Sequence, residues 1–180
     1  MMFELRCYVD EQEVVNQLIH LDAKYCSQYA FTDEIYHPKN GKYNLNEQFL
    51  RLRLYTQTAW EQKLVELTYK VKNISSVILK NRKWQFNNKE ETLPHLLDYE
   101  LAFMFKRNGY EYKTDKLHIF LEKIDGLPFS AEILSKDHKA IEDFFAKIPS
   151  AIKIQDSVPR LIEKTLINKI KFLSIFLFYK

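Results

Sequence analysis

The chain has 180 residues, 46% hydrophobic and 14% aromatic, which is enough for a substantial core and excludes a wholly disordered polypeptide. Its net charge of +3 is too small to mark a nucleic-acid binder by total charge. Glycine occurs only at 41, 109 and 126, which excludes a G-x-G-x-x-G turn and a Walker A loop, so side chains would have to hold any phosphate.

In chain order, residues 2–9 read as a strand with Glu4, Arg6 and Tyr8 on one face. Asp10 and Glu13 have the spacing of a capping box, and Val14, Val15, Leu18 and Ile19 follow at helical spacing, predicting a helix to about residue 25. Residues 29–37 form a second strand and 38–41 a turn. Strands three, four and five are expected at 49–55, 66–71 and 77–86. Thr92 reads as the cap of a brief helix with Pro94 in its first turn. Residues 101–112, 117–123 and 128–134 complete eight strands, with Asp125-Gly126 as a tight hairpin turn. A helix capped by Ser135 or Asp137 carries Ile141, Phe144 and Phe145, and one capped by Ser157 carries Leu161, Ile162 and Leu166.

The strongest local signal is residues 49–73. Arg51 and Arg53 alternate with leucines on one strand, and Thr68, Lys70 and Lys72 alternate with Leu67, Tyr69 and Val71 on the next. An ordinary solvated sheet face also alternates. Here, however, residues 51–83 hold eight basic residues (51, 53, 63, 70, 72, 80, 82, 83) against Glu61 and Glu66. Like charges on adjacent strands repel unless an anion compensates, and the natural compensator is a polyanion.

The short connections favour antiparallel neighbours, and eight such strands close naturally into a barrel. The fold class expected is therefore α+β, an eight-stranded antiparallel β-barrel with helices packed outside and a cationic lumen. Residues 1–170 are read as the domain and 171–180 as an apolar C-terminal extension. That extension packs either on the barrel or on a second subunit, so a homodimer is one expectation. The two cysteines, Cys7 and Cys26, follow no signal-like segment, which points to a reduced cytoplasmic protein without a membrane span. The five histidines show no zinc-ligand spacing.

Several stretches also match one family's motifs in order. MFELR at 2–6 keeps the second acid and the base of an E-x-E-x-K strand, with Met2 in place of the first acid. DEIY at 33–36, FLRLR at 49–53, LTYK at 67–70 and FKRNGY at 105–110 follow. LEKIDGLPFSAEI at 121–133 is similar to L-D-x-V-x-G-L-G-x-F-x-E-I-E, with Leu134 in place of the final acid. These stretches, covering roughly 2–162, resemble the CYTH family of triphosphate tunnel metalloenzymes. That family includes class IV adenylate cyclases, thiamine triphosphatases and inorganic triphosphatases.

The resemblance implies a triphosphate-bearing small molecule in the tunnel, bound by Arg51, Arg53, Lys70, Lys72, Arg82 and Lys106, with Arg6 and Lys80 behind them. The second base of the FKRNGY strand stays open between Arg107 and none. It also implies Mg²⁺ or Mn²⁺ held by Glu4, Glu122 and Glu132, the set that would carry catalysis. Family acids are missing at Met2, Trp84, Phe86 and Leu134. Triphosphate hydrolysis is the first expectation, with ATP cyclisation the alternative. A decayed barrel that binds polyphosphate or nucleotide, or serves as a scaffold, is the second class. Nucleic acid ranks last, because the positive charges fall on inferred lumen faces.

Overall fold

The computed structural model describes residues 2–57, 65–72 and 79–178, with side chains described except at 57, 72, 79–83, 93–94 and 170–178. The fold is α+β: one mostly antiparallel sheet with three α-helices. Its strands are β1 (Phe3–Tyr8), β2 (Lys24–Pro38), β3 (Gln48–Gln57), β4 (Val65–Lys72), β5 (Leu79–Phe86), β6 (Tyr99–Lys113), β7 (His118–Ile124), β8 (Ser130–Ser135) and β9 (Ile152–Lys153). The helices are α1 (Glu11–His20), α2 (His138–Phe145) and α3 (Val158–Phe178), with a 3-10 helix at Glu90–Leu96.

The strand order is β5-β4-β3-β2-β6-β7-β8-β1-β9. The expected strand count is corrected: the sheet has nine strands, not eight. The added strand is β9, whose two residues pair with Cys7 and Tyr8 of β1; a strand this short leaves no alternation to read in a sequence. The chain divides into two compact units. The first holds Met1–Thr32, Tyr55–Lys63 and Lys106–Gln155, and the second holds Asp33–Leu54, Leu64–Phe105 and Asp156–Lys180.

In the first unit, alternation decides which face each strand buries. Cys7, Ile119, Leu121, Ala131 and Ile133 form one apolar cluster with Val14 and Leu18 of α1 and Ile141 and Phe144 of α2. Asp10 caps α1, its Oδ1 accepting from the amides of Gln12 and Glu13 at 2.9 and 3.1 Å. The capping box is only half made: Glu13 accepts from the Ser150 amide at 3.0 Å, while the Asp10 amide donates to Ser150 Oγ at 2.8 Å. The helix stops at His20 rather than near residue 25. Asp22 turns into the left-handed region at φ 49°, and the Ala23 amide reaches back to the Leu18 carbonyl at 3.0 Å, the bond of a Schellman stop. Asp137, not Ser135, caps α2 through the amides of Lys139 and Ala140.

The second unit has its own cluster of Tyr36, Leu50, Leu52, Val65, Leu67 and Leu96. Thr92 does not cap the 3-10 helix. It is fully buried and donates its hydroxyl to the Lys89 carbonyl at 2.6 Å. Ser157 does cap α3, accepting from the Arg160 amide at 3.3 Å. The α3 backbone runs unbroken across the expected boundary at 170/171. Among the described residues, no helix is long and apolar enough to cross a membrane.

Gly109 marks the one close approach that bears on the site. A Cβ there would lie 2.5 Å from the Leu121 carbonyl oxygen and 2.6 Å from the Tyr29 ring and hydroxyl. The first obstacle is backbone, which cannot swing aside. Gly109→Ala should therefore lower stability by ~1–3 kcal/mol in urea unfolding; an unchanged midpoint would contradict the placement of Tyr29.

Candidate functional site

In the first unit, the face opposite the helices is charged. The register sets Arg6 against Glu132 and Glu122 against Ser130, and alternation adds Glu4, His118 and Phe120 to the same face. The two guanidinium nitrogens of Arg6 reach different carboxylates: Nη1 donates to Glu122 Oε2 and Nη2 to Glu132 Oε2. The other oxygen of Glu122 accepts from Arg107 Nη1 at 3.1 Å and from the Tyr29 hydroxyl at 2.9 Å. Glu122 is only 2% exposed. Burial alone would raise its pKa, but the charges of Arg107 and Arg6, with hydrogen bonds from Arg6 and Tyr29, hold it at about 2. Burial and the neighbouring Glu122 push the Tyr29 phenol upward, so it stays a donor. The Arg107 guanidinium also lies over the Phe31 ring, 5.3 Å from its centroid.

Further along this face, Glu111 gathers Ser27 Oγ at 2.7 Å, Lys113 Nζ at 2.8 Å and His118 Nε2 at 2.7 Å. Burial opposes the Glu111 charge, and hydrogen bonds from Lys113, Ser27 and His118 outweigh it, lowering the pKa to about 2. His118 is thus bound to a carboxylate and packed at a tilt of 41° against Phe120, with ring centroids 4.3 Å apart.

The second unit holds a parallel arrangement on β2, β3 and β4. The register pairs Arg51 with Thr68 and Arg53 with Glu66. Arg53 grips Asp33 bidentately, Nε to Oδ1 at 2.7 Å and Nη2 to Oδ2 at 2.9 Å. Arg51 Nη2 lies 3.4 Å from Glu66 Oε1, and its Nε lies 3.8 Å from Asp33 Oδ1. Thr68 donates to Glu66 Oε1 at 2.9 Å. Asp33, Glu66 and Thr68 are buried. Lys70 shares this face and sits over the Phe49 ring, 5.8 Å from its centroid.

The structure thus groups Arg6, Glu122 and Glu132 in the first unit, and Arg51, Arg53 and Lys70 on one face in the second. Glu4 has the parity of the Arg6 face but is exposed. Lys106 is exposed too, on the opposite face of β6 from Arg107, which is the base that meets Glu122. Register sets Arg82 against Tyr69 and Lys80 against Val71, whereas Lys83 falls against Thr68. The side chains of Lys72, Lys80 and Arg82 lie outside the described residues.

Sequence reasoning missed Asp33, Glu66 and Tyr29 as candidate site residues and left Arg107 open. A buried, one-signed arginine pair should have prompted a search for carboxylates on adjoining strands. Asp33 was visible there, in DEIY.

The expected Mg²⁺ or Mn²⁺ on Glu4, Glu122 and Glu132 does not fit this donor set. Arg6 occupies one oxygen of both Glu122 and Glu132, and Arg107 and Tyr29 occupy the other oxygen of Glu122. Among the described residues, no three His, Cys, Asp or Glu side chains are grouped to hold a metal.

Similar folds were found among solved structures. PH1819 of Pyrococcus horikoshii OT3 superposes with a TM-score of 0.75 at 16% identity, covering 91% of this chain and 99% of that one. HpAC1 of Hippeastrum, a candidate adenylyl cyclase with a dominant triphosphatase activity, gives 0.63 at 11% identity over 91% and 96%. A candidate adenylate cyclase of Vibrio parahaemolyticus gives 0.58 at 16% identity over 81% and 84%. No protein-family model matches the chain, and no curated protein sequence matches it. At these identities the likeness shows the fold alone, one shared with HpAC1 and the candidate adenylate cyclase.

Proposed function

We propose that this chain binds a triphosphate-bearing small molecule and that its reaction is hydrolysis of a phosphoanhydride bond. The observation that carries the reading is the Arg51–Arg53 pair on β3, within a CYTH-like fold. Asp33 fixes the plane of the Arg53 guanidinium through two bonds at 2.7 and 2.9 Å. A pre-oriented cation gives up little rotamer entropy when an anion arrives. Guanidinium groups match phosphate oxygens bidentately, and Lys70 adds a point charge on the same face. Phosphoryl transfer asks a protein mainly to position the chain and stabilise its charge, which suits such a face. The triphosphatase activity of HpAC1 supports the choice of substrate class.

A second reading, binding without turnover, is favoured by the Arg6 fork, which engages two of the three carboxylates that would have carried catalysis. Incubation with tripolyphosphate, ATP or thiamine triphosphate, with Mg²⁺ or Mn²⁺ added, separates the two. Released phosphate supports the hydrolase and cyclic AMP from ATP the cyclase alternative. Intact substrate in every incubation would leave binding alone.

A further inference from the structure

We propose that the Arg6 guanidinium is a resident cation of this protein, closing the Glu122–Glu132 carboxylate pair to divalent metal ions. The argument is geometric first. Arg6 spans both carboxylates with its two terminal nitrogens, a bridge that a planar fork makes and the single ammonium of a lysine makes poorly. Its side chain is 11% exposed, that of Glu122 3% and that of Glu132 20%, so the Arg6–Glu122 contact in particular is shielded from competing water.

Charge points the same way. Arg6 bridges Glu122 and Glu132, and Arg107 pairs with Glu122 as well. A divalent ion entering here would meet two guanidinium charges and would have to displace one that is covalently tethered. Although Glu4 has the parity of this face, no three His, Cys, Asp or Glu side chains among the described residues are grouped to hold a metal. The cross-strand partner of Glu132 on β7 is Phe120, and that of Glu4 on β8 is Leu134. This inference holds whether or not a triphosphate binds, because it concerns the metal alone.

Mn²⁺ titration of the full chain, read by the loss of the free-ion EPR signal, tests it without any phosphate present. Wild type should leave the signal of free Mn²⁺ essentially unchanged. Arg6→Gln, checked for folding by circular dichroism, should bind Mn²⁺ at least about tenfold more tightly than wild type, and adding Glu132→Gln should remove the gain. Wild-type Mn²⁺ binding that is lost in Glu122→Gln or Glu132→Gln would overturn the proposal. So would a folded Arg6→Gln with no gain. Should Arg6→Gln not fold, the wild-type titration with the two glutamate variants still decides.

Discussion

Arg53→Ala is expected to abolish the tripolyphosphate-induced rise in melting temperature and to destabilise the fold by ~3–5 kcal/mol, the cost of stranding one partner of a buried ion pair. Asp33 is fully buried, and both its carboxylate oxygens accept from Arg53. Removing the guanidinium leaves that carboxylate with its bidentate partner gone. The two effects are separable. Adding Asp33→Asn removes the stranded charge, so the double variant should recover most of the stability while still failing to respond to tripolyphosphate. A single variant that loses stability yet keeps its full ligand response would make Arg53 a structural residue only.

The second large effect is expected at Glu122. Glu122→Gln keeps the shape but removes the negative charge that Arg6 and Arg107 share, with side chains only 11% and 6% exposed. A loss of ~3–5 kcal/mol in urea unfolding at neutral pH follows from the same reasoning. The pH dependence is a finer check. The Glu122 pKa is lowered from 4.5 to about 2, so its contribution is complete above the unfolded value and disappears as pH falls through the folded one. Wild type should thus lose stability between about pH 4.5 and 2. In Glu122→Gln that acid limb should be shallower. It should not vanish, because Glu111 is also held at about 2 and titrates over the same window. An acid limb of unchanged steepness would show that Glu122 is not the ionised centre of the cluster.

Much of this was legible from local pattern. The alternation of 49–55 and 66–71 gives β3 and β4 their polar and apolar faces, and the Leu50, Leu52 and Leu67 side fills the core of the second unit. Asp10 and Asp137 announce their helices, and Asp125-Gly126 announces a turn whose glycine sits at φ 75°. What local pattern lacks is cross-strand register. Asp33 and Arg53 are twenty residues apart, and Arg6 and Glu132 are separated by 126. Their pairing is set by strand order, which period-two alternation does not encode.

The Lys106–Arg107 pair illustrates the same gap. Adjacent residues on a strand point to opposite faces, so only one of them can meet Glu122, and the two bases by themselves do not say which. Gly109 held the answer. A glycine inside a strand often marks a close approach, and here Tyr29 lies against it on its way to Glu122. Glycine and Arg107 share parity, which places Arg107 on the carboxylate face. The one-signed appearance of residues 51–83 is likewise offset in part by an acid from outside the segment. Asp33, from β2, and Glu66, from β4 itself, balance Arg51 and Arg53.

Isothermal titration of the wild-type chain with tripolyphosphate, run once with Mg²⁺ and once with a chelator, tests the central claim most directly. A saturable one-site isotherm that Arg53→Ala with Asp33→Asn abolishes is the predicted result. Absence of binding in both conditions, from a chain shown to be folded, would contradict it.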